Sequence, residues 1–287
     1  MIPEYRVLYG DRASTEYECT VELQLNASIA HPSVIALGAY IDRRVVGIAV
    51  GRNTGDIGQI AFVHLLDQDN DESTPSRLMI EIVHALRDRG VTGVIADFIP
   101  LCTLRVDTAL MEEGFRTVDR MLMTCDLKPS LRRQSWPETS AYSEADWPEC
   151  ASLLHESFIS KAEPLLYNEL HSIDQTRLTL RQYRQADNGD IQPQWAREIK
   201  SHDELQGLAL GTLISADVGF IFQVAVKPCC QGRGLGSKLV DTLLSEFEKS
   251  GMQEVQLGVT VDDRAYGFYA GLGFEDKRSV RVYFWEA

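Results

Sequence analysis

The stretch Val224-Ala-Val-Lys-Pro-Cys-Cys-Gln-Gly-Arg-Gly-Leu-Gly-Ser-Lys-Leu-Val240 decides how the rest of the chain is read. A β-rich run enters a glycine-rich turn, and the turn opens into a helix predicted over residues 237–249. There Leu239, Val240, Leu243, Leu244 and Phe247 share one face, and Gly251 supplies the stop. Gly232, Gly234 and Gly236 admit backbone conformations closed to larger residues, so successive N–H groups can converge on one ligand. The free amides and dipole of the helix start add positive character, and Arg233 and Lys238 supply formal charge nearby. The product is an anion cradle suited to a diphosphate. A tight strand-to-helix connection would use the same glycines, so the turn alone is not specific. There is no Gly-Lys-Ser/Thr ending, which excludes a P-loop. The spacing is not G-x-G-x-x-G and no acidic ribose partner follows, which argues against a dinucleotide fold.

Outward from this stretch, the second half reads as helices over about 146–157 and 167–184, then strands over 195–199, 207–214 and 219–226. After the long helix come a strand over 254–261, a short helix over 264–271 and a last strand over 280–285. The first half reads as a hairpin (34–41 and 45–51, turning at Asp42-Arg43-Arg44), a strand from Gln59, a helix over 76–89 closed by Gly90, a β-rich run over 91–98, a short helix near 104–113 and a strand over 121–127. Both halves thus share one order, down to the pairs Gly114-Phe115 and Gly273-Phe274. Internal repetition of a whole domain follows. The predicted fold is α/β, with two tandem domains, each a mixed and mainly antiparallel sheet flanked by helices. The predicted boundaries are residues 1–128, a linker over 129–139 that carries two prolines and no hydrophobic period, and residues 140–287.

With its continuation, the opening stretch resembles the GNAT superfamily of acyl-CoA-dependent N-acetyltransferases. Val226-Lys-Pro-Cys-Cys-Gln-Gly-Arg-Gly-Leu-Gly is similar to that family's V-x-P-x-x-Q/R-x-x-G-x-G/A loop, and Ala265-Tyr-Gly-Phe-Tyr-Ala-Gly-Leu-Gly-Phe to its A-x-x-F-Y-x-x-x-G-F. The likeness is clear over about 207–285. It implies acetyl-CoA, or another acyl-CoA, as co-substrate and no metal. Gln231, Gly232, Arg233, Gly234, Leu235, Gly236 and Ser237 would hold the CoA pyrophosphate. The strand ending at Val226 would splay from the strand beginning near Glu254, and the pantetheine arm would lie in the gap, against the backbone of Val224, Ala225 and Val226. Tyr269 falls at the family's frequent general acid. Where the family often has Asn, Asp262 stands, a carboxylate that accepts but does not donate when ionised. The reaction implied is direct attack of an acceptor amine, small-molecule or protein, on the thioester. Candidate bases are Asp217, Glu156, His155 and Glu204. A non-catalytic acyl-CoA sensor, or a tandem GNAT of thiol-cofactor biosynthesis such as mycothiol synthase, would share the layout.

In the first half the cradle position lands on Asn70-Asp-Glu-Ser-Thr-Pro75, which has no glycine and where Asp67, Asp69, Asp71 and Glu72 would repel a diphosphate, and the tyrosine position lands on Leu110. This half reads as degenerate and without CoA, packed on the active half as an intramolecular pseudo-dimer. The acidic loop reads equally well as a solvated turn. Composition sets the frame. The chain has 287 residues, 44% of them hydrophobic and 24% charged, which is ordinary for a globular protein. The net charge of −14 makes nucleic acid a poor partner. No span of about 20 apolar residues suggests a membrane segment, and the six cysteines lack ligand spacing. They read as reduced thiols of a cytoplasmic protein, with Cys229 and Cys230 pointing apart.

Overall fold

The computed structural model describes residues 31–65, 73–96, 106–127, 135–142, 147–158, 170, 172–185, 195–261 and 263–287. The acidic segment 67–72, Asp262, Cys19 and Cys102 lie outside them. The chain divides into two compact units: Met1–Arg120 with Val280–Ala287, and Met121–Ser279. These are called unit 1 and unit 2. The fold is mixed α/β, with strands in parallel and antiparallel pairs and helices packed on them.

In unit 1, β1 (Val34–Ile41) and β2 (Arg44–Thr54) form a hairpin, followed by β3 (Ile57–Leu65), α1 (Ser73–Arg87), β4 (Gly93–Ala96) and α2 (Asp107–Glu112). The hairpin turns on Asp42 and Arg43, both with positive φ, as a two-residue turn between right-twisted strands requires. β1–β2 and β2–β3 are antiparallel and β3–β4 parallel. β5 (Arg116–Asp126) starts in unit 1 and ends in unit 2, whereas β11 (Glu275–Glu286) starts in unit 2 and ends in unit 1. The strand beside β4 is the end of β11, with Tyr283 opposite Ala96 and Trp285 opposite Val94. Leu78, Met79, Ile82, Val83 and Leu86 of α1 fill the core against Ala49, Ile60, Val94, Leu110 and Phe115. Each such buried aliphatic contributes about 1.5–3 kcal/mol.

In unit 2 the order is β6 (Thr139–Ala141), α3 (Trp147–Phe158), α4 (Ile173–Gln185), β7 (Ala196–Ser201), β8 (Glu204–Ser215), β9 (Val218–Val226), a 3₁₀ turn (Pro228–Cys230), α5 (Leu235–Lys249), β10 (Glu254–Thr260) and α6 (Arg264–Gly271). Strand order across the sheet is β5-β10-β9-β8-β7-β6. β7 and β8 turn on His202 and Asp203, again two non-glycine residues with positive φ. One face of the sheet carries α5, through Leu239, Val240, Leu243, Leu244 and Phe247, against Ile199, Ala209, Ile221, Val255 and Leu257. The other face carries α3, through Cys150, Leu153 and Leu154, against Leu208, Leu210 and Ala225.

Close approach of α5 is set by glycine. A Cβ on Gly211 would sit 2.6 Å from the Phe247 ring, one on Gly219 2.7 Å from it, and one on Gly207 2.9 Å from Leu239. Unit 1 repeats the device. A Cβ on Gly47 would meet Leu78 at 2.9 Å, and Gly51 and Gly58 lie under Ile82 and Leu86.

Candidate functional site

The site begins where two parallel strands part. β9 pairs with β10 from Val218↔Glu254 to Ile221↔Leu257, and there the ladder ends. Both strands run on, β9 to Val226 and β10 to Thr260. On its other edge β9 stays paired with β8 throughout, with Val224 opposite Ala209, Ala225 opposite Leu208 and Val226 opposite Gly207. Residues 222–226 therefore border a gap between strands, where an extended ligand can lie like an added strand. Ala225 faces α3 and is buried, while Val224 and Val226 pack toward α5.

The chain leaves β9 through Lys227 and turns at Pro228–Cys230, where Cys230 N–H donates to the Lys227 carbonyl at 2.8 Å. Gln231 is extended, and Gly232 and Gly234 follow with φ of 74° and 77°. Added Cβ atoms on either glycine would meet nothing within 4 Å. The need for glycine is therefore conformational, since the left-handed region costs other residues about 1–2 kcal/mol. Gly236 differs, because its Cβ would touch Phe268 at 3.4 Å. Gly234 is the N-cap of α5 and provides no side-chain cap, so the first-turn amides of Leu235, Gly236 and Ser237 have no acceptor within the helix. Gln231 Nε2 donates to the Val226 carbonyl and Arg233 Nη2 to the Cys229 carbonyl, each at 3.1 Å, which pins both ends of the loop.

Lys238 is more committed than its sequence position implied. Its Nζ lies 2.7 Å from Glu138 and 5.0 Å from the centre of the Trp136 ring. The Lys238 ammonium holds the Glu138 carboxyl below its ordinary value. Trp136 in turn donates to Asp241, and its backbone N–H to Thr242, so residues 136–139 clasp the first turns of α5.

Tyr269 lies on α6, capped by Asp263, whose side chain accepts from Ala265 N–H at 3.0 Å. Its ring meets Phe268 and Phe274 edge-on at 5.0 and 5.7 Å. The Phe274 N–H donates to the Tyr269 carbonyl at 3.1 Å and closes the helix. In unit 1 the Phe115 N–H donates in the same way to Leu110 at 3.0 Å. Leu110 thus occupies the equivalent place, fully buried, without a hydroxyl.

The four candidate bases separate. The Asp217 carbonyl accepts from Gln253 and Glu254 N–H, and its carboxylate accepts from Ser215. It precedes β9 at the end remote from Val226, roughly 30 Å away at ~3.3 Å per residue. Glu204 bonds Lys227, which holds its carboxyl below the usual range. Glu156 is exposed on α3. The His155 ring bonds the Leu170 carbonyl at 2.9 Å through Nδ1. A carbonyl only accepts, so Nδ1 carries a proton, and in the neutral ring the lone pair lies on Nε2. Sequence reasoning passed over Thr260, at the end of β10 beside the gap. It is buried, and its Oγ1 has no hydrogen-bond partner among the described residues.

Residues 147–274 match the family model described as the Acetyltransferase (GNAT) family. The chain is 31% identical over 88 residues to a [Ribosomal protein bS18]-alanine N-acetyltransferase of Salmonella typhimurium, covering 30% of this chain and 59% of that one. Other curated relatives are matched over 20% and 29% of their lengths, so the chain spans only part of each. Among solved structures, a GCN5-related N-acetyltransferase from Sphaerobacter thermophilus superposes with a TM-score of 0.67 at 17% identity, over 92% of this chain and 85% of that one. A tandem GNAT protein from the clavulanic acid biosynthesis pathway superposes at 0.60 and 11% identity, over 99% and 94%. At these identities the likeness is one of fold. Among the described residues no group of three His, Cys, Asp or Glu could hold a metal ion. No helix among them is long and apolar enough to cross a membrane.

Proposed function

From the match of residues 147–274 to the GNAT acetyltransferase family model we propose that the chain is an acetyl-CoA-dependent N-acetyltransferase with one active site, in unit 2. The observation that carries this reading is the end of the β9–β10 ladder beside an uncapped helix start entered through Gly232 and Gly234. A diphosphate matches the amides of Gly232–Ser237 and the exposed Arg233, and an amide-bearing pantetheine matches the edge of Val224–Val226.

The mechanism assigns each group one task. The acceptor amine, deprotonated, attacks the thioester carbonyl. Backbone N–H near Val224 and Ala225 stabilises the oxyanion. Tyr269 gives its proton to the leaving thiolate, a step that a phenol can supply. Of the candidate bases, His155 in its neutral form offers the Nε2 lone pair that the step requires, and Glu156 is exposed on the same helix. The acceptor is a primary amine. Cys125, Cys150, Cys229 and Cys230 are free thiols, which accords with a reducing compartment such as the cytoplasm. Unit 1, with Leu110 in place of the phenol, serves as a degenerate partner without CoA.

The test is CoA release from acetyl-CoA over a panel of small amines, amino acids and peptides, together with binding stoichiometry by calorimetry. Release that depends on one amine class, with one acetyl-CoA bound per chain, supports the reading. Tight binding with no release for any acceptor would turn it into an acyl-CoA sensor. Two acetyl-CoA per chain would remove the degenerate reading of unit 1.

A further inference from the structure

Cys229 and Cys230 do not point apart as an extended chain would direct them. Pro228 begins a 3₁₀ turn, and within it the two sulfurs come to 3.7 Å. Both are free thiols, Cys229 exposed and Cys230 buried. The pair stands directly before Gln231, at the entry to the anion cradle. Two cations border it. Arg233 donates to the Cys229 carbonyl, and both Arg233 and Lys227 act on Cys230 electrostatically.

We propose that Cys229 and Cys230 form a thiol–disulfide modification site, whose closure by a low-molecular-weight disulfide reshapes the loop 231–236 and weakens acyl-CoA binding. The second half of this statement rests on the function proposed above.

The chemistry is thiol–disulfide exchange. The Cys229 thiolate attacks one sulfur of the small disulfide, forming a mixed disulfide and releasing one small thiolate. Cys230 then loses its proton and attacks the Cys229 sulfur, forming the protein S–S bond and releasing the second small thiol. Two protein thiols are oxidised and one small disulfide is reduced to two thiols. The order follows from access, because exposed Cys229 meets the reagent first. Burial and the adjacent Cys229 thiol hold the Cys230 thiol above its ordinary pKa, so it reacts only once Cys229 is activated.

Coupling to the cradle is mechanical. Adjacent Cα atoms lie about 3.8 Å apart, less than the roughly 4.4–6.8 Å of ordinary disulfides. That short span strains the ring, and bringing the sulfurs from 3.7 Å to about 2.05 Å within it twists the turn, so the bond reopens readily with reductant. Rearrangement moves the Cys229 carbonyl that anchors Arg233 and the Cys230 N–H that closes the turn on Lys227.

The experiment titrates the full chain with glutathione disulfide. Trypsin then releases residues 201–233, which contain no other cysteine. We expect this fragment two hydrogens lighter and refractory to iodoacetamide, faster hydrogen exchange over 231–236, and an acetyl-CoA Kd raised about tenfold, all reversed by dithiothreitol. Cys229→Ser keeps its affinity in the oxidant, and Cys230→Ser traps glutathione on Cys229. A wild-type fragment that stays reduced, or that ends as a stable glutathione adduct, overturns the proposal. So does an internal disulfide that leaves exchange and affinity unchanged. If the reduced chain binds no acetyl-CoA, the function proposed above fails instead, and mass and exchange still decide the redox site.

Discussion

The helix–sheet pairs of the two units, α1 on β2–β3 and α5 on β8–β9, are built alike and end differently. Gly47, Gly51 and Gly58 lie under Leu78, Ile82 and Leu86, as Gly207, Gly211 and Gly219 lie under Leu239 and Phe247. Gly90 and Gly251 terminate the helices with φ of 80° and 86°. Asp56 accepts from Thr92 and Gly93 N–H as Asp217 accepts from Gln253 and Glu254. Phe115 and Phe274 fold back onto Leu110 and Tyr269. The framework common to both units is therefore packing and turn chemistry. What separates them is the phenol and the glycine entry to the helix, neither of which the framework needs. That pattern is expected of features kept for chemistry rather than stability, and it also explains Asp217. Its match with Asp56 gives it a place in that framework.

The largest effect tests the phenol. Tyr269→Phe is expected to slow CoA release by about 10²–10⁴-fold with little change in acetyl-CoA affinity. Leu110→Tyr, its counterpart in unit 1, leaves the rate unaltered. Equal rates for wild type and Tyr269→Phe would end the assignment of Tyr269 as the acid.

Next comes the glycine floor. A methyl on Gly211 meets the rigid Phe247 ring, whereas one on Gly51 meets Ile82 and Leu86, both at more than 3 Å and able to rotate. Gly211→Ala should cost about 2–3 kcal/mol and Gly51→Ala about 1, read as shifts in denaturant midpoint. The reverse order would mean that the two floors are not equivalent.

Two left-handed glycines, one entering α5 and one ending α1, differ more finely. Gly234→Ala and Gly90→Ala each place a methyl in open space at positive φ, so each should cost about 1–2 kcal/mol in stability. Only Gly234→Ala should weaken acetyl-CoA, by about tenfold. Equal affinities for the two variants in calorimetry would remove the loop from the binding site.

The smallest effect is on pH dependence. Burial pushes the Glu254 carboxyl up, but hydrogen bonds from Lys277, Thr124 and Gln256 outweigh it and leave the group below its ordinary value. A depressed folded-state pKa stabilises the fold above the unfolded value near 4.3, and that contribution is lost as pH falls through the folded value. Glu254→Gln should therefore cost about 1 kcal/mol at pH 7 and almost nothing near pH 3. A gap that widens in acid would reverse the sign.

The parts of this architecture that repeat were legible in the sequence, because period and punctuation carry them. The apolar rows of α1 and α5, Gly90 and Gly251, and the pairs Gly114-Phe115 and Gly273-Phe274 each announce themselves locally. The cradle glycines and Tyr269 were legible for the same reason. Lys238 and Glu204 read as available charges, since sequence does not show that Glu138 and Lys227 hold them. The thiols read as separate because alternation was assumed where Pro228 starts a turn. β6 and the clasp by Trp136 lie in a stretch without hydrophobic period, where a three-residue edge strand leaves no pattern. Thr260 gave no signal, because a buried hydroxyl without a partner looks like any strand threonine. Alternation shows which face a side chain takes, not which strand lies beside it. Nothing in the first half therefore showed that β4 pairs with residues near 285.

That pairing sets a timetable for synthesis. Tyr283, Phe284 and Trp285 complete the sheet beside Val94, Ile95 and Ala96, and Arg281 reaches Asp119 across 162 positions of chain. At about 5–20 residues per second, a ribosome delivers β11 some ten to forty seconds after β4. Through that interval β4 has an open edge, the kind of surface on which nascent chains pair wrongly. Unit 1 comes first in sequence and is finished last.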